Sequence, residues 1–429
     1  MIDNFNITTS ILIVMSKKSN TCPIVPALIL IPILLISSCV NQTPKNTISG
    51  NRIVTQQVIP DTLLNINIDT LPIAYDIKFS SIFKSVKLIP LETKPECLIG
   101  YIDQIQVYND RIYILDSTKA RSLMVFNMDG TFIRKIGSKG RGRGEYLSPS
   151  VFAINKTDGT IHILDRRSNR IICYTTNGEI VKEFKLSKKG SVSQFTILDN
   201  AYFFSLTPSY KRPTVHLMLK QAINSKTTVN IFPLNTHGLG FNQPINYSMN
   251  FYQGNNDVKY TRILFDTIYS ITDDRIKPFI TINTSNKITP SDIDEMNSYK
   301  TVSEYTRNYH STCEKYLGMN NYLENDKLIH FKIKNHKVDH TLIIQKKNGQ
   351  IFYSPRLKDD LGHTKFMKLY ATYNDYVVGT PMDFMGQSIP RLLENINKNN
   401  LNLSEINRQH LKELLTPESN PVIYFYETK

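Results

Sequence analysis

Two stretches of this chain can be laid over each other. RIYILDSTKARSLMVFNMDGTFIRKIG, from Arg111, matches TIHILDRRSNRIICYTTNGEIVKEFKL, from Thr160; Asp116 falls on Asp165, 49 residues on, and Gly130 on Gly178, 48 residues on. An internal repeat constrains a fold more than any single motif, because each unit must bury its apolar faces against copies of itself. Each unit reads strand, polar turn, strand, Asp-Gly or Asn-Gly, strand. The pairs Asp129-Gly130 and Asn177-Gly178 predict two-residue hairpins, since glycine adopts positive φ without a Cβ clash. RIYIL, LMVF, TIHIL and IICY are apolar on both faces, as strands of a sheet covered front and back must be. Four-stranded sheets of that kind are the blades of a β-propeller.

More diverged units follow: AYFFSL (201–206), DTIYSIT (266–272), KLIHFKI (327–333) with HTLIIQKKNGQIFYS (340–354), YNDYVVGT (373–380) and a closing PVIYFYE (421–427). Two insertions, about 290–317 and 389–415, carry a helical pattern instead, the second stopped by Pro417. Setting them aside leaves length for six units. The expectation is an all-β, six-bladed β-propeller over residues 73–429 with two short helical insertions. VKLIPLE (86–92) is expected to pair with the C-terminal strands and close the ring, which removes exposed edges. Abundant Tyr (23) and Phe (20) suit strands better than helical bundles.

The first forty residues read as an address. Lys17 and Lys18 precede an apolar run from Ile24 to Ile36, and small residues precede Cys39. That is a signal-peptide layout, with Met1 and Met15 both open as the start. The apolar run falls short of the ~20 residues that a membrane span needs. Ile36-Ser37-Ser38-Cys39 resembles the bacterial lipobox, which implies cleavage before Cys39 and lipidation of its sulfur. Several acyl chains together anchor stably where one is marginal. Residues 1–38 are therefore expected to be a lipoprotein signal peptide and 39–72, rich in Asn, Thr, Gln and Pro, a flexible tether. Asp61-Thr62-Leu63 and Asp69-Thr70-Leu71 resemble an O-glycosylation acceptor of Bacteroidetes, a pattern short enough to arise by chance. Val40 is not the inner-membrane retention aspartate and no acidic run follows Cys39, so the expected location is the periplasmic face of the outer membrane. Of five cysteines, Cys22 and Cys39 belong to the leader. Cys97, Cys173 and Cys313 remain, an odd number without metal-ligand spacing.

GSKGRGRGEYLSPSVFAINKTDGTIHILDRRSNRIICYTTNGEIVKEF resembles an NHL repeat. Ile89-Pro90-Leu91-Glu92, Gly144-Glu145-Tyr146, Asp266-Thr267-Ile268-Tyr269 and Asn420-Pro421-Val422 extend the likeness to most of residues 75–429. On these residues the chain resembles the six-bladed β-propeller lipoproteins of Bacteroidetes, a family without an assigned biochemical activity. The resemblance implies a fold and leaves the ligand unnamed. One departure is Arg143, where that family usually carries proline before the glycine.

The run Gly137–Tyr146 invites a phosphate-loop reading, which needs a lysine and Ser/Thr after the last glycine and then a helix. Here Glu145, Tyr146 and the strand-like VFAI follow, so an inter-blade connector is expected. Lys139, Arg141 and Arg143 are candidate binding cations at a propeller mouth. A formal net charge of +14 favours polyanions or anionic surfaces, although acidic residues are interspersed almost everywhere. NHL domains of some cytoplasmic proteins bind RNA; export excludes nucleic acid and leaves an anionic glycan, lipid head group or acidic peptide. Asp116 and Asp165 each have an arginine five residues on, Arg121 and Arg170. Because a catalytic site rarely repeats in consecutive modules, these four read as structural, accepting turn amides or pairing across a hairpin. His336 and His340, near His330, have a zinc-like spacing, but on a strand-turn-strand pattern rather than a helix. Neither a catalytic residue, a metal site nor a cofactor is assigned. The expected function is a monomeric, lipid-anchored extracytoplasmic module binding an unknown protein, peptide or glycan. The alternative is a gluconolactonase-like metal-dependent propeller hydrolase, which requires Glu, Asn and Asp converging on the axis.

Overall fold

A computed structural model describes residues 54–55, 63–186, 191–207, 214–225, 227–235, 249–254, 257–262, 264–272, 275–335, 338–382, 387–401 and 403–429. Six antiparallel sheets form a six-bladed β-propeller. Blade 1 comprises Gln104–Tyr108, Arg111–Asp116, Ser122–Asn127 and Phe132–Ile136, and blade 2 Pro149–Ile154, Ile161–Asp165, Arg170–Tyr174 and Ile180–Lys185. Blade 3 runs from Ser191–Leu198 to Thr228–Asn235, blade 4 from Phe251–Gln253 to Ile276–Asn283, and blade 5 from Tyr316–Glu324 to Gln350–Ser354. Blade 6 joins Met367–Tyr373, Tyr376–Pro381 and Val422–Thr428 to the early strand Phe83–Pro90.

The first strand of each blade is innermost and the last outermost, so every connector returns from the rim to the channel on one face, called here the upper face. Middle strands are mostly buried, and Ser122–Phe126 and Ile161–Asp165 are so along their length. Their two apolar faces pack against neighbouring blades, which is why the strands lack polar alternation. The ring closes as read from the sequence, with Val422 opposite Pro90, Tyr424 opposite Leu88 and Tyr426 opposite Val86. Asn420 secures this seam; its side chain accepts from Ile99 N (2.9 Å) and donates to Glu92 O (2.7 Å) and Cys97 O (2.9 Å).

Two expectations change. The Asp-Gly and Asn-Gly turns are three-residue loops rather than two-residue ones: Asn127 N bonds Thr131 O, and only the glycines, Gly130 (φ +93°) and Gly178 (φ +83°), take positive φ. A primed two-residue turn would need positive φ at Asp129 as well, whereas a bulged loop needs it at glycine alone. The tether expected to reach residue 72 also ends earlier. Leu64–Asn67 adds a parallel strand to the rim of blade 4 against Ile280–Asn283, and Val54–Thr55 pairs with the rim of blade 5. Leu64 and Ile66 are buried and Asn65 and Asn67 exposed, so a two-residue period lay hidden among the polar residues. Asp69 fastens this strap by accepting from Ser285 N (2.7 Å) and Oγ (2.8 Å) and from Thr284 Oγ (2.6 Å).

The insertions are helical as expected. Helices α1 (Pro290–Ser298) and α2 (Val302–Tyr305) lie between blades 4 and 5; α3 (Ser388–Asn397) and α4 (Glu405–Leu414) lie inside blade 6. Thr289 and Asp292 cap α1 reciprocally, and Met296, Tyr305 and Tyr309 give that insertion a small core. Leu392, Ile396 and Leu411 of the second insertion instead join the cluster that contains Val422, Tyr424 and Tyr426. Both insertions emerge on the upper face.

Candidate functional site

The glycine run Gly137–Tyr146 crosses from the rim of blade 1 to the inner strand of blade 2. Ser138–Lys139 pairs in parallel with Glu145–Tyr146, and the loop closes on itself. The Glu145 carboxylate accepts from Gly142 N (2.7 Å), so the loop supplies its own anion where a phosphate would sit. Gly137 has φ +69°, and a Cβ there would lie 2.5 Å from Tyr174 Oη. Tyr174 donates to Gly144 O (2.9 Å) and Tyr146 to Ile136 O (2.9 Å), locking both ends. Lys139, Arg141 and Arg143 are exposed on the outside of this loop, and none lines the central channel. The structure does not gather them with other candidate groups.

Asp116 and Asp165 occupy equivalent, fully buried positions. Asp116 accepts from Gly100 N (2.8 Å), Tyr101 N (3.0 Å) and Lys119 N (2.7 Å); Asp165 accepts from Leu147 N (3.0 Å), Ser148 N (2.9 Å) and Ser168 Oγ (2.5 Å). Each carboxylate thus ties the connector entering its blade to the turn leaving its second strand. Burial works against ionisation of Asp165, but the Ser168 hydroxyl and then the Leu147 and Ser148 amides hold its carboxyl below its ordinary range. The arginines diverge. Arg170 reaches Asp165 (3.8 Å), Glu183 (3.0 Å) and Glu145 O (2.5 Å), while Arg121 is exposed with φ +49° and makes no ion pair with Asp116 among the described residues.

All six inner strands line a central cavity of about 660 Å³, a concave site that sequence reasoning could not locate without the axis. An inner strand has a free edge, and side chains from neighbouring blades cover it. Gln104 pairs twice with the Phe152 backbone, donating to its carbonyl (2.9 Å) and accepting from its amide (3.1 Å). Gln194 accepts from Asn250 N (2.6 Å), Tyr252 Oη from Asn321 N (2.6 Å), and Tyr370 donates to Ile102 O (2.9 Å). Blades 1 and 2, 3 and 4, 4 and 5, and 6 and 1 are thereby stitched, and the wall is preorganised.

Five ionisable side chains with charge at neutral pH line the cavity: Asp103, Lys156, Arg166, Glu324 and Lys368. Both carboxylates are engaged. Asp103 accepts from Ser117 N (2.6 Å) and Oγ (2.7 Å); Glu324 receives Tyr322 Oη (2.6 Å) and pairs with Lys346 (2.6 Å) and Lys259 (3.3 Å). Burial opposes ionisation of Glu324, but these two lysines hold its carboxyl below the usual value. Lys156, at the lower end, donates to Gly254 O (2.9 Å), reaching from blade 2 past blade 3 to blade 4. Lys368, at the upper end, stands over the rings of Tyr370 (4.5 Å to the centroid) and Tyr101 (5.6 Å). Burial lowers the pKa of both lysines.

Other candidate groups lie apart. His162 is buried between blades 2 and 3, with Thr160 Oγ on Nε2 (2.7 Å) and Tyr202 Oη (2.8 Å) and Cys173 Sγ (3.3 Å) on Nδ1. Burial pushes its pKa down to about 4 and that of the Cys173 thiol up to about 11, so the pair is a packed seam without a thiolate. His340 stacks on Tyr353 (4.9 Å), His330 is buried against Asn321 O (3.1 Å), and His336, like Cys39, lies outside the described residues. No group of three or more His, Cys, Asp or Glu suited to a metal occurs among the described residues. None of their helices is long and apolar enough to cross a membrane.

Residues 63–427 match a family model described as a domain of unknown function, DUF4934. No curated protein sequence matches the chain. Among solved structures, a putative exported protein from Bacteroides fragilis superposes with a TM-score of 0.66 at 17% identity, covering 86% of this chain and 100% of that one. A member of the DUF4221 family from Bacteroides vulgatus gives a TM-score of 0.46 at 8% identity over 81% of this chain and 97% of that one.

Proposed function

The chain belongs to the DUF4934 family, and from that premise we propose that it is an exported, lipid-anchored propeller that binds a small ligand in its central channel and performs no chemistry on it. The observation that carries this reading is the channel itself: about 660 Å³, lined by all six blades, with its strand edges already covered by side chains. Such a wall keeps its shape without a ligand, so little of the binding free energy goes into ordering it. Export is supported by the leader before Cys39 and by the description of the Bacteroides fragilis neighbour as a putative exported protein. The periplasmic face of the outer membrane remains the proposed location.

Two experiments test this. Metabolic labelling with an alkyne fatty acid should mark the wild type and leave Cys39→Ser unlabelled; an unlabelled wild type would remove the anchor. Equilibrium dialysis against a library of small metabolites and oligosaccharides, read by mass spectrometry, should retain compounds that Gln106→Trp, which fills the channel from blade 1, releases. Equal retention by a folded Gln106→Trp protein would place binding elsewhere.

A further inference from the structure

The geometry points to an anion-binding position at the upper mouth of the channel, where Lys368 receives the carboxylate of a ring-bearing organic acid and Tyr101 covers the ring. This assignment rests on the channel being the ligand site and adds the charge and chemistry of what enters it.

The sign of the charge follows from which groups are already satisfied. Of the two carboxylates on the wall, Glu324 is neutralised by Lys259 and Lys346, and Asp103 is turned onto Ser117 and onto Thr118 Oγ (3.3 Å). Lys368 makes no ion pair among the described residues, although the Asp103 charge reaches it. Its company is two aromatic faces and the charge of a second cation, Lys332, which like burial disfavours its protonation. Arg166, on the other side of blade 1, adds positive potential at the same mouth. An ammonium held over rings and beside like charge is short of counter-charge, and in a desolvated mouth a charge-assisted hydrogen bond to an incoming carboxylate is stronger than a neutral one.

The aromatic part of the argument concerns rigidity. Tyr370 cannot swing away, because its hydroxyl donates to Ile102 O at 2.9 Å across the blade 6–blade 1 seam. Tyr101, just outside the cavity lining, is 51% exposed, and Lys368 stands over one face of its ring. An exposed ring on a backbone held by Asp116 (Tyr101 N to Oδ2, 3.0 Å), beside an underused cation, offers a stacking surface next to a charge, a pairing that selects acids carried on a ring over simple anions.

The test uses matched pairs that differ only in charge: benzoate against benzyl alcohol, and glucuronate against glucose. Binding to the full-length protein is followed by tyrosine fluorescence, since the chain has no tryptophan, and by the titration of methyl-labelled lysines. The acids should bind at least tenfold tighter than their neutral counterparts, weaken with salt, and raise the Lys368 titration midpoint. Lys368→Met should lose at least tenfold in acid affinity, whereas the loop variant Lys139→Ala/Arg141→Ala/Arg143→Ala should lose none. Equal binding of acid and neutral probe, with both lost in Gln106→Trp, would overturn the anion position and leave the channel reading intact. Acid binding lost in the loop variant and kept in Lys368→Met would overturn it in favour of the exposed loop. No acid binding at millimolar concentration would also overturn it, while the dialysis comparison decides the channel separately.

Discussion

The side-chain amide of Gln104 in blade 1 pairs with both backbone groups of Phe152 in blade 2, as a strand neighbour would. It substitutes for a ladder bond at the inner edge of a sheet, where no further strand fits. Gln104→Leu keeps most of the volume but leaves the buried Phe152 amide unpaired, at about 1–3 kcal/mol, and its carbonyl with only the longer bond from Gln106 Nε2 (3.4 Å). The urea midpoint should fall accordingly, and amide exchange at Phe152 should rise. Unchanged exchange at Phe152 would mean that the pairing contributes nothing to the seam.

Gly130 gives a sharper backbone prediction. It has φ +93°, and a Cβ there would lie 2.0 Å from Pro90 O, in the strand that closes the ring. Gly159 has φ +74°, but its Cβ would meet nothing nearer than 3.9 Å. Gly159→Ala should therefore cost only the left-handed strain of ~1–2 kcal/mol. Gly130→Ala adds a clash at the closing seam and should cost more than about 3 kcal/mol. Equal melting temperatures for the two variants would refute this account.

Blade architecture was legible because apolar runs, turn glycines and the repeat all depend on local sequence. Asp116 and Asp165 revealed themselves as a repeated pair for the same reason. The channel was not legible. Its wall unites Gln104, Gln194, Tyr252, Glu324 and Lys368, residues from five blades that share no motif and meet only through ring geometry. The cations of the glycine run stood out in the sequence because they are contiguous, yet they face solvent. Lys368 was inconspicuous in KFMKLY, and only Tyr101, more than 260 residues earlier, gives it meaning.

The strap over blade 4 should matter to solubility as well as stability. Leu64 and Ile66 are 5% and 2% exposed and pack beside Ile280 and Ile282. Burying such side chains is worth about 1.5–3 kcal/mol each, and removal of the strand uncovers the open edge of the Ile276–Asn283 strand. Leu64→Asp/Ile66→Asp should lower the melting temperature and produce concentration-dependent oligomers in light scattering. A variant that stays monomeric and fully stable would show that the rim does not need its cover.

Acid sensitivity should begin above the carboxylate range because two histidines are buried neutral. Burial pushes His162 down to about 4, with Asp158 opposing and Lys182 assisting; burial and then Lys332 do the same at His330, also to about 4. In the unfolded chain both titrate near 6.5. Between those values the unfolded state binds protons that the folded state refuses, so stability falls as pH drops from about 6.5 to 4 and levels off below. Above 6.5 both states are neutral and the contribution vanishes. Near pH 5 each histidine should supply a slope of ~1.4 kcal/mol per pH unit, at the upper edge of the carboxylate range. Urea titrations from pH 5 to 7 should show that slope reduced in His162→Gln, whose amide can still reach Thr160 and Tyr202. The reduction should repeat in His330→Gln; a slope that survives both substitutions would assign the acid sensitivity to other groups.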